Sequence, residues 1–184
     1  MPEKLSPELI EEAYRMGYFP MAEDDGTIYW YFPKKRAVFE PRDFHVSRSL
    51  KKSSKKYLVT FDTAYEEVMR ACAEREETWI SEEFVQAYCE LFYRGFGHSA
   101  ETWFFDELVG GVYGVRFGNA FMAESMFHTK TDAGKVALWK LFEKLEKEGV
   151  ILIDVQFMTP HLKSLGAKEL SSKEYLKKLE NAWK

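Results

Sequence analysis

VILIDVQF, Val150 to Phe157, sets a carboxylate and a carboxamide two residues apart inside an apolar run. Read as a strand, its side chains alternate, so Ile151, Ile153, Val155 and Phe157 share one face and Asp154 and Gln156 the other. An ionised carboxylate in apolar surroundings needs strong partners or a raised pKa, which makes the pair either an internal hydrogen-bond network or the floor of a pocket. Upstream, Phe121 to Phe127 (FMAESMF) repeats the pattern with Glu124 at its centre. Two core strands that each carry an acid point toward a site, because perturbed carboxylates gather where chemistry is done. Between the two runs, residues 132–148 place Leu138, Leu141, Phe142 and Leu145 at helical spacing, with Gly149 as the stop. Residues 100–105, 107–117 and 119–127 read as a meander of strands broken at Asp106 and Gly118. After the VILIDVQF strand come a short polar segment, residues 161–166, and a last helix from Ser172.

The order meander, helix, strand, helix is that of an α+β domain, and it resembles the mixed-sheet core of the GCN5-related acetyltransferase fold. Toward the N-terminus, Ser6, Pro7, Glu8 and Glu11 open a helix that runs to Met16 and stops at Gly17. Residues 18–38 are aromatic and turn-rich, with a hairpin-like stretch at residues 28–32. Tyr29, Trp30, Tyr31 and Phe32 in succession cannot all face one core, so some of them line a surface or cleft. Tyr57 to Phe61 (YLVTF) opens a new strand, and helices follow over residues 64–73 and 82–93. The predicted organisation is a small N-terminal domain, residues 1–56, and a mixed-sheet domain, residues 57–184.

With 46% hydrophobic and 16% aromatic residues over 184 positions, the chain has material for a packed core. Cys72 and Cys89 stand apart without CxxC spacing, and no signal peptide is evident, so a reduced cytoplasm is expected. No apolar run reaches bilayer-spanning length. The net charge of −4 argues against nucleic acid, yet between Lys34 and Lys56 nine basic residues, Arg36, Arg48, Lys51 and Lys52 among them, face only Glu40 and Asp43. Such a patch suits a phosphate backbone, and a solvated lysine-rich loop has the same composition.

Several common sites are missing. The four histidines show no HExxH or paired-ligand spacing and the cysteines no zinc pattern, so no metal is expected. Gly134-Lys135 lacks the first glycine of a P-loop, and Gly110, Gly111 and Gly114 read as close backbone packing rather than dinucleotide binding. Ser125, three residues from His128, does not sit in a nucleophile elbow. Glu124, Asp154 and Gln156 remain, beside aromatics and a basic patch. Acids and an amide without metal or nucleophile suit transfer of an already activated group, and stacking aromatics next to positive charge suggest a donor that carries nucleic acid.

In order along the chain, AYRMGYFP (Ala13 to Pro20), WYFPKKRAV (Trp30 to Val38), HVSRSLKK (His45 to Lys52), TWISEEFVQAY (Thr78 to Tyr88), GHSAETW (Gly97 to Trp103), ELVGGVYGV (Glu107 to Val115), AESMF, LIDVQ and SLGA resemble the leucyl/phenylalanyl-tRNA–protein transferases. The resemblance implies transfer of Leu or Phe, with Met a further candidate, from aminoacyl-tRNA to acceptor proteins that begin with Arg or Lys, marking them for N-degron degradation. It also implies a cytoplasmic monomer that needs no cofactor. Trp30, Tyr31, Trp79, Tyr88 and Phe121 would hold the donor's terminal adenosine and aminoacyl group, and Arg36, Arg48, Lys51 and Lys52 the tRNA phosphates. Glu124, Asp154 and Gln156 would surround the acceptor's N-terminus, with Asp154 orienting and deprotonating the α-amine directly or through Gln156, and Glu124 holding the cationic side chain. The chain begins at an internal point of the family pattern, so a reduced N-terminal domain is expected. Phe32 and Ala123 depart from the pattern beside proposed donor residues and bear on donor preference. An acyl-CoA-dependent N-acyltransferase on the same fold and a noncatalytic tRNA-binding module are the alternatives; the turn HTKTDAGK, His128 to Lys135, lacks the Gly-rich pyrophosphate loop of the first.

Overall fold

The computed structural model describes residues 5–23, 25–74 and 78–184. In chain order the elements are α1 (Pro7–Arg15), β1 (Phe19–Ala22), β2 (Ile28–Tyr31), β3 (Lys35–Phe39), a 3-10 turn (Pro41–Asp43), α2 (Arg48–Ser54), β4 (Leu58–Phe61), α3 (Tyr65–Ala73), α4 (Glu82–Tyr93), β5 (Gly97–Phe104), β6 (Glu107–Phe117), β7 (Ala120–His128), α5 (Ala133–Lys147), β8 (Leu152–Asp154), α6 (Pro160–Ser164), β9 (Lys168–Ser171) and α7 (Ser172–Ala182). β1 and β2 form a hairpin. The other seven strands make one mixed sheet in the order β4-β5-β6-β7-β8-β3-β9, antiparallel throughout except for the parallel pair β7 and β8.

Each face of this sheet has its own core. Tyr113, Val115, Met122 and Leu152 point into a cluster with α1, α3, α4 and α7, whereas Val112, Ala123, Ile153 and Val155 point into a cluster built on Val136, Leu141, Phe142 and Leu145 of α5. The helices start where the chain supplies caps. Ser6 accepts from Leu9 N at the head of α1, Ser47 from Leu50 N at α2, and Ser171 and Glu174 form a reciprocal capping box at α7.

Two expectations need correction. β3 lies between β8 and β9 in the large sheet, so residues 35–39 belong to the mixed-sheet domain and no structural boundary falls at residue 56. The VILIDVQF run is a strand only over Leu152–Asp154. Ile151 and Phe157 are exposed at its ends, and Gln156 takes the left-handed conformation (φ 57°), which breaks the two-residue alternation. The polar segment at residues 161–166 is largely the short helix α6.

Candidate active site

β7 and β8 pair in parallel only from Ala120↔Leu152 to Met122↔Asp154. Beyond that point both strands become irregular. Tyr113 pairs with Ser125 and Gly114 with Ala123, which leaves Glu124 as the extra residue of a β-bulge. The bulge flips the phase of the strand: Met122 and Phe127 pack on the face of α3 and α4, and Ala123 and Met126 on the face of α5. Opposite the bulge only glycine fits, because a Cβ on Gly114 would stand 2.1 Å from the Met122 carbonyl oxygen and 2.5 Å from the Phe121 ring.

A cleft of ≈ 330 Å³ opens where the strands part. Glu124, at the bulge within β7, and Gln156, just past the end of β8, border it. Its apolar lining comes from both faces of the sheet: Val112, Ala123, Met126 and Leu138 on the α5 side, Phe19 and Trp79 on the other.

The Glu124 carboxyl is half-buried and accepts from the Tyr14 hydroxyl, which also bonds the Tyr88 hydroxyl at 2.9 Å. Burial pushes Glu124 up to about 8; the Tyr14 bond and the Arg36 charge pull it down and the Asp154 charge pushes it up. Tyr65 and Tyr113 complete the wall behind, with ring centroids 5.7 Å apart.

Asp154 lies beneath the cleft, its side chain 1% exposed like that of Arg36. Arg36 donates from Nε to both carboxylate oxygens (2.8 and 3.0 Å) and from its terminal nitrogen to Oδ2 (2.6 Å), Tyr175 adds its hydroxyl at 2.7 Å, and Gln156 its backbone N–H at 2.9 Å. The guanidinium is sandwiched between the Phe19 and Tyr175 rings, 4.4 and 4.6 Å from their centroids, and also bonds the Gly17 carbonyl. So bound and buried, Asp154 has no oxygen left to offer a substrate amine; direct deprotonation by Asp154 is corrected on this ground. Gln156 differs. Its side-chain Nε2 is buried and has no hydrogen-bond partner among the described residues, and the residue borders the cleft.

Of the expected donor aromatics, Trp79 lines the cleft. Tyr88 and Phe121 are fully buried in the two cores, so they shape it from behind. Trp30 borders a different groove beside Leu5 and Glu83, and Tyr31 stacks on Phe19 at 5.9 Å and bonds Glu23. Phe32 packs on Tyr18 at 5.2 Å, away from the cleft, while Ala123 is part of its wall. Arg48, Lys51 and Lys52 are exposed on α2, but Arg36 is the buried partner of Asp154 and cannot meet a phosphate. Sequence reasoning missed Tyr14 and Tyr175. The need of a buried Asp154 for a cation and further donors is the signal that could have moved Arg36 inward and brought Tyr175 with it.

A polar pair able to handle one amine and one carbonyl at the end of an apolar slot is the equipment of a group-transfer enzyme, with acyl transfer the chemistry it fits. Among transferases the chain belongs to the leucyl/phenylalanyl-tRNA protein transferase family, whose model matches residues 38–180 and whose N-terminal domain model matches residues 3–34. Relatives with that name from Gloeobacter violaceus and Herpetosiphon aurantiacus are 46% and 47% identical, over 97% and 99% of this chain and 94% and 96% of their own. Among solved structures, FemX superposes with a TM-score of 0.58 at 9% identity, over 89% of this chain and 66% of that one, a likeness of fold alone. No helix among the described residues is long and apolar enough to cross a membrane.

Proposed function

We propose that this chain moves Leu or Phe from aminoacyl-tRNA to the N-terminus of acceptor proteins that begin with Arg or Lys, acting as a cytoplasmic monomer. Family membership supports the donor class, and the observation that carries the mechanism is the apolar cleft ending at Glu124 and Gln156. The donor's apolar side chain lies on the α5 side, among Val112, Ala123, Met126 and Leu138. Its ester carbonyl faces Gln156. An unpaired buried donor costs roughly 1–3 kcal/mol, and an oxygen that gains negative charge in the transition state relieves that cost, so the amide acts as an oxyanion donor.

The acceptor's α-amine attacks the ester carbon. The new C–N bond forms, the C–O bond to the terminal ribose of the tRNA breaks, and the ribose oxygen leaves with a proton. Because the ester is already activated, the residues need only position it and manage that proton. Glu124, at about 8, is matched to an α-amino group of ordinary pKa ~8, so proton exchange between them is nearly balanced. The extra charge of an N-terminal Arg or Lys favours the ionised form of Glu124, which gives such acceptors their advantage. Asp154 is a positioning residue: it fixes Arg36 and the backbone of Gln156.

Incubation with a mixed pool of charged tRNAs and peptides beginning with Arg, Lys, Asp or Ala, without ATP, tests this by mass spectrometry. Leu or Phe added to the Arg and Lys peptides is the expected result. Addition to Asp or Ala peptides instead would overturn the acceptor assignment, and acylation only from acyl-CoA would overturn the donor.

A further inference from the structure

Beside the donor cleft lies a second cavity of ≈ 600 Å³, bounded by His128 at the end of β7, by residues 129–132 that follow it, and by Gly134, Lys135 and His161. Met126 and His161 border both cavities, so the two adjoin. On the far side stands α2: Ser53 Oγ donates to Asp132 Oδ2 at 2.8 Å, and the helix carries the exposed Arg48, Lys51 and Lys52. The cavity brings together His128, Lys130, Lys135 and His161 against one carboxylate, Asp132, which Ser53 and Lys135 (3.2 Å) already occupy. Lys130 rests over the Phe104 ring at 5.0 Å and reaches Glu107 only at 3.7 Å. Burial, and after it the charges of Lys135 and His128, hold His161 below the ordinary histidine range.

We propose that this cavity binds the internucleotide phosphates of the donor RNA's unpaired 3′ end, leading the strand from the basic face of α2 to the cleft. The inference rests on the aminoacyl-tRNA reading of that cleft. A duplex end seated on α2 and an ester seated between β7 and β8 are joined by a short single strand, and residues 128–135 lie between the two. Contacts of this kind go to phosphates and are independent of sequence, which suits an enzyme that accepts donors charged with different amino acids.

Lys130→Ala and Lys135→Ala, singly and together, test the path with three donors bearing the same ester: charged tRNA, an aminoacylated trinucleotide, and aminoacyl-adenosine, which has no internucleotide phosphate. The expected result is a KM for the first two donors raised roughly tenfold per lysine. The slope of log affinity against log salt should flatten by ~0.7 per lost contact. Turnover of aminoacyl-adenosine should hold its wild-type value, and Lys130→Arg and Lys135→Arg should restore the KM for tRNA. Equal loss with all three donors, or no change with tRNA, overturns the path. Wild-type protein that uses none of the three refutes the reading of the cleft, and the path with it.

Discussion

Replacing Asp154 by Asn removes one charge of a buried ion pair while keeping the side chain's shape. Arg36 and Asp154 are each 1% exposed in their side chains, and three nitrogen–oxygen contacts of 2.6–3.0 Å join them. Removing one partner of such a pair strands the other charge in the interior, at a typical cost of ~3–5 kcal/mol. Against a total stability of about 5–15 kcal/mol this is severe but survivable. With a urea slope of about 2 kcal/mol/M, the unfolding midpoint should fall by ~1.5–2.5 M. Because Gln156 N–H bonds Asp154 Oδ1 at 2.9 Å, turnover should fall too, through a displaced amide. Urea unfolding followed by tryptophan fluorescence and kcat measured across pH are the assays. The expected pattern is a lowered midpoint, a lowered kcat and a pH profile of the same shape displaced to lower pH, since Glu124 still titrates but loses the Asp154 charge that raises it. Adding Arg36→Met should recover part of the stability, as the stranded charge is gone. A wild-type midpoint together with a kcat loss of more than about 100-fold, the range of a lost general base, would show that Asp154 acts on the substrate itself.

Glu124→Gln should change how stability depends on pH. A carboxyl raised from 4.5 to about 8 in the fold is unpenalised below 4.5, becomes steadily more costly as pH rises through that window, and carries its full penalty above 8. The wild type should therefore lose stability relative to Glu124→Gln by at most ~1.4 kcal/mol per pH unit across it, and parallel urea midpoints at about pH 5, 7 and 9 would contradict the raised value. Gly114→Ala forces a Cβ to 2.1 Å from the Met122 carbonyl oxygen and should cost ~1–3 kcal/mol, read by thermal unfolding. Ala123→Gly enlarges the cleft wall by one methyl and should shift the Phe-to-Leu product ratio roughly tenfold toward Phe in a competition between the two charged tRNAs; an unchanged ratio would remove Ala123 from the donor pocket.

Elements with a strong period and a clear stop were legible in the chain, and those held by distant pairing were not. The apolar positions of α4 and α5 and the meander from β5 to β7 stand out because burial on one face leaves a stripe or an alternation. α2 escapes that logic. Only Leu50 of its seven residues is buried, so no stripe marks it, and its run of cations reads as a loop. β9 (KELS) is a polar strand at the sheet's edge, visible only through its pairing with β3. Arg36 was misplaced for a related reason: KKR looks like surface, and only the buried Ala37-Val38-Phe39 that follows shows the chain already entering the core. Among the expected site residues, Glu124, Asp154 and Gln156 were legible as polar groups set at a cost inside apolar runs. Their proposed division of labour was not, since it depends on an arginine 118 positions away.

That division follows from two local irregularities. A regular β7 would put Ala123 and Met126 on opposite faces, and a regular β8 would carry Gln156 under the sheet beside Asp154. The bulge at Glu124 brings Ala123 and Met126 to the α5 side, and the left-handed Gln156, two residues past the end of β8, borders the cleft. Pairing between β7 and β8 stops at the same level, so the irregularities that furnish the cleft accompany the gap that opens it. Lined from both faces of the sheet, the gap is bordered by Glu124 and Gln156, and in the proposed mechanism the donor lies against α5 while the acceptor enters from the side of Phe19 and Trp79. Substitutions that push the bulge toward regularity should therefore depress turnover beyond what their cost in stability explains. Gly114→Ala tests this when kcat is measured well below its melting temperature: a fully folded variant with wild-type kcat would show that the bulge does not aim Glu124.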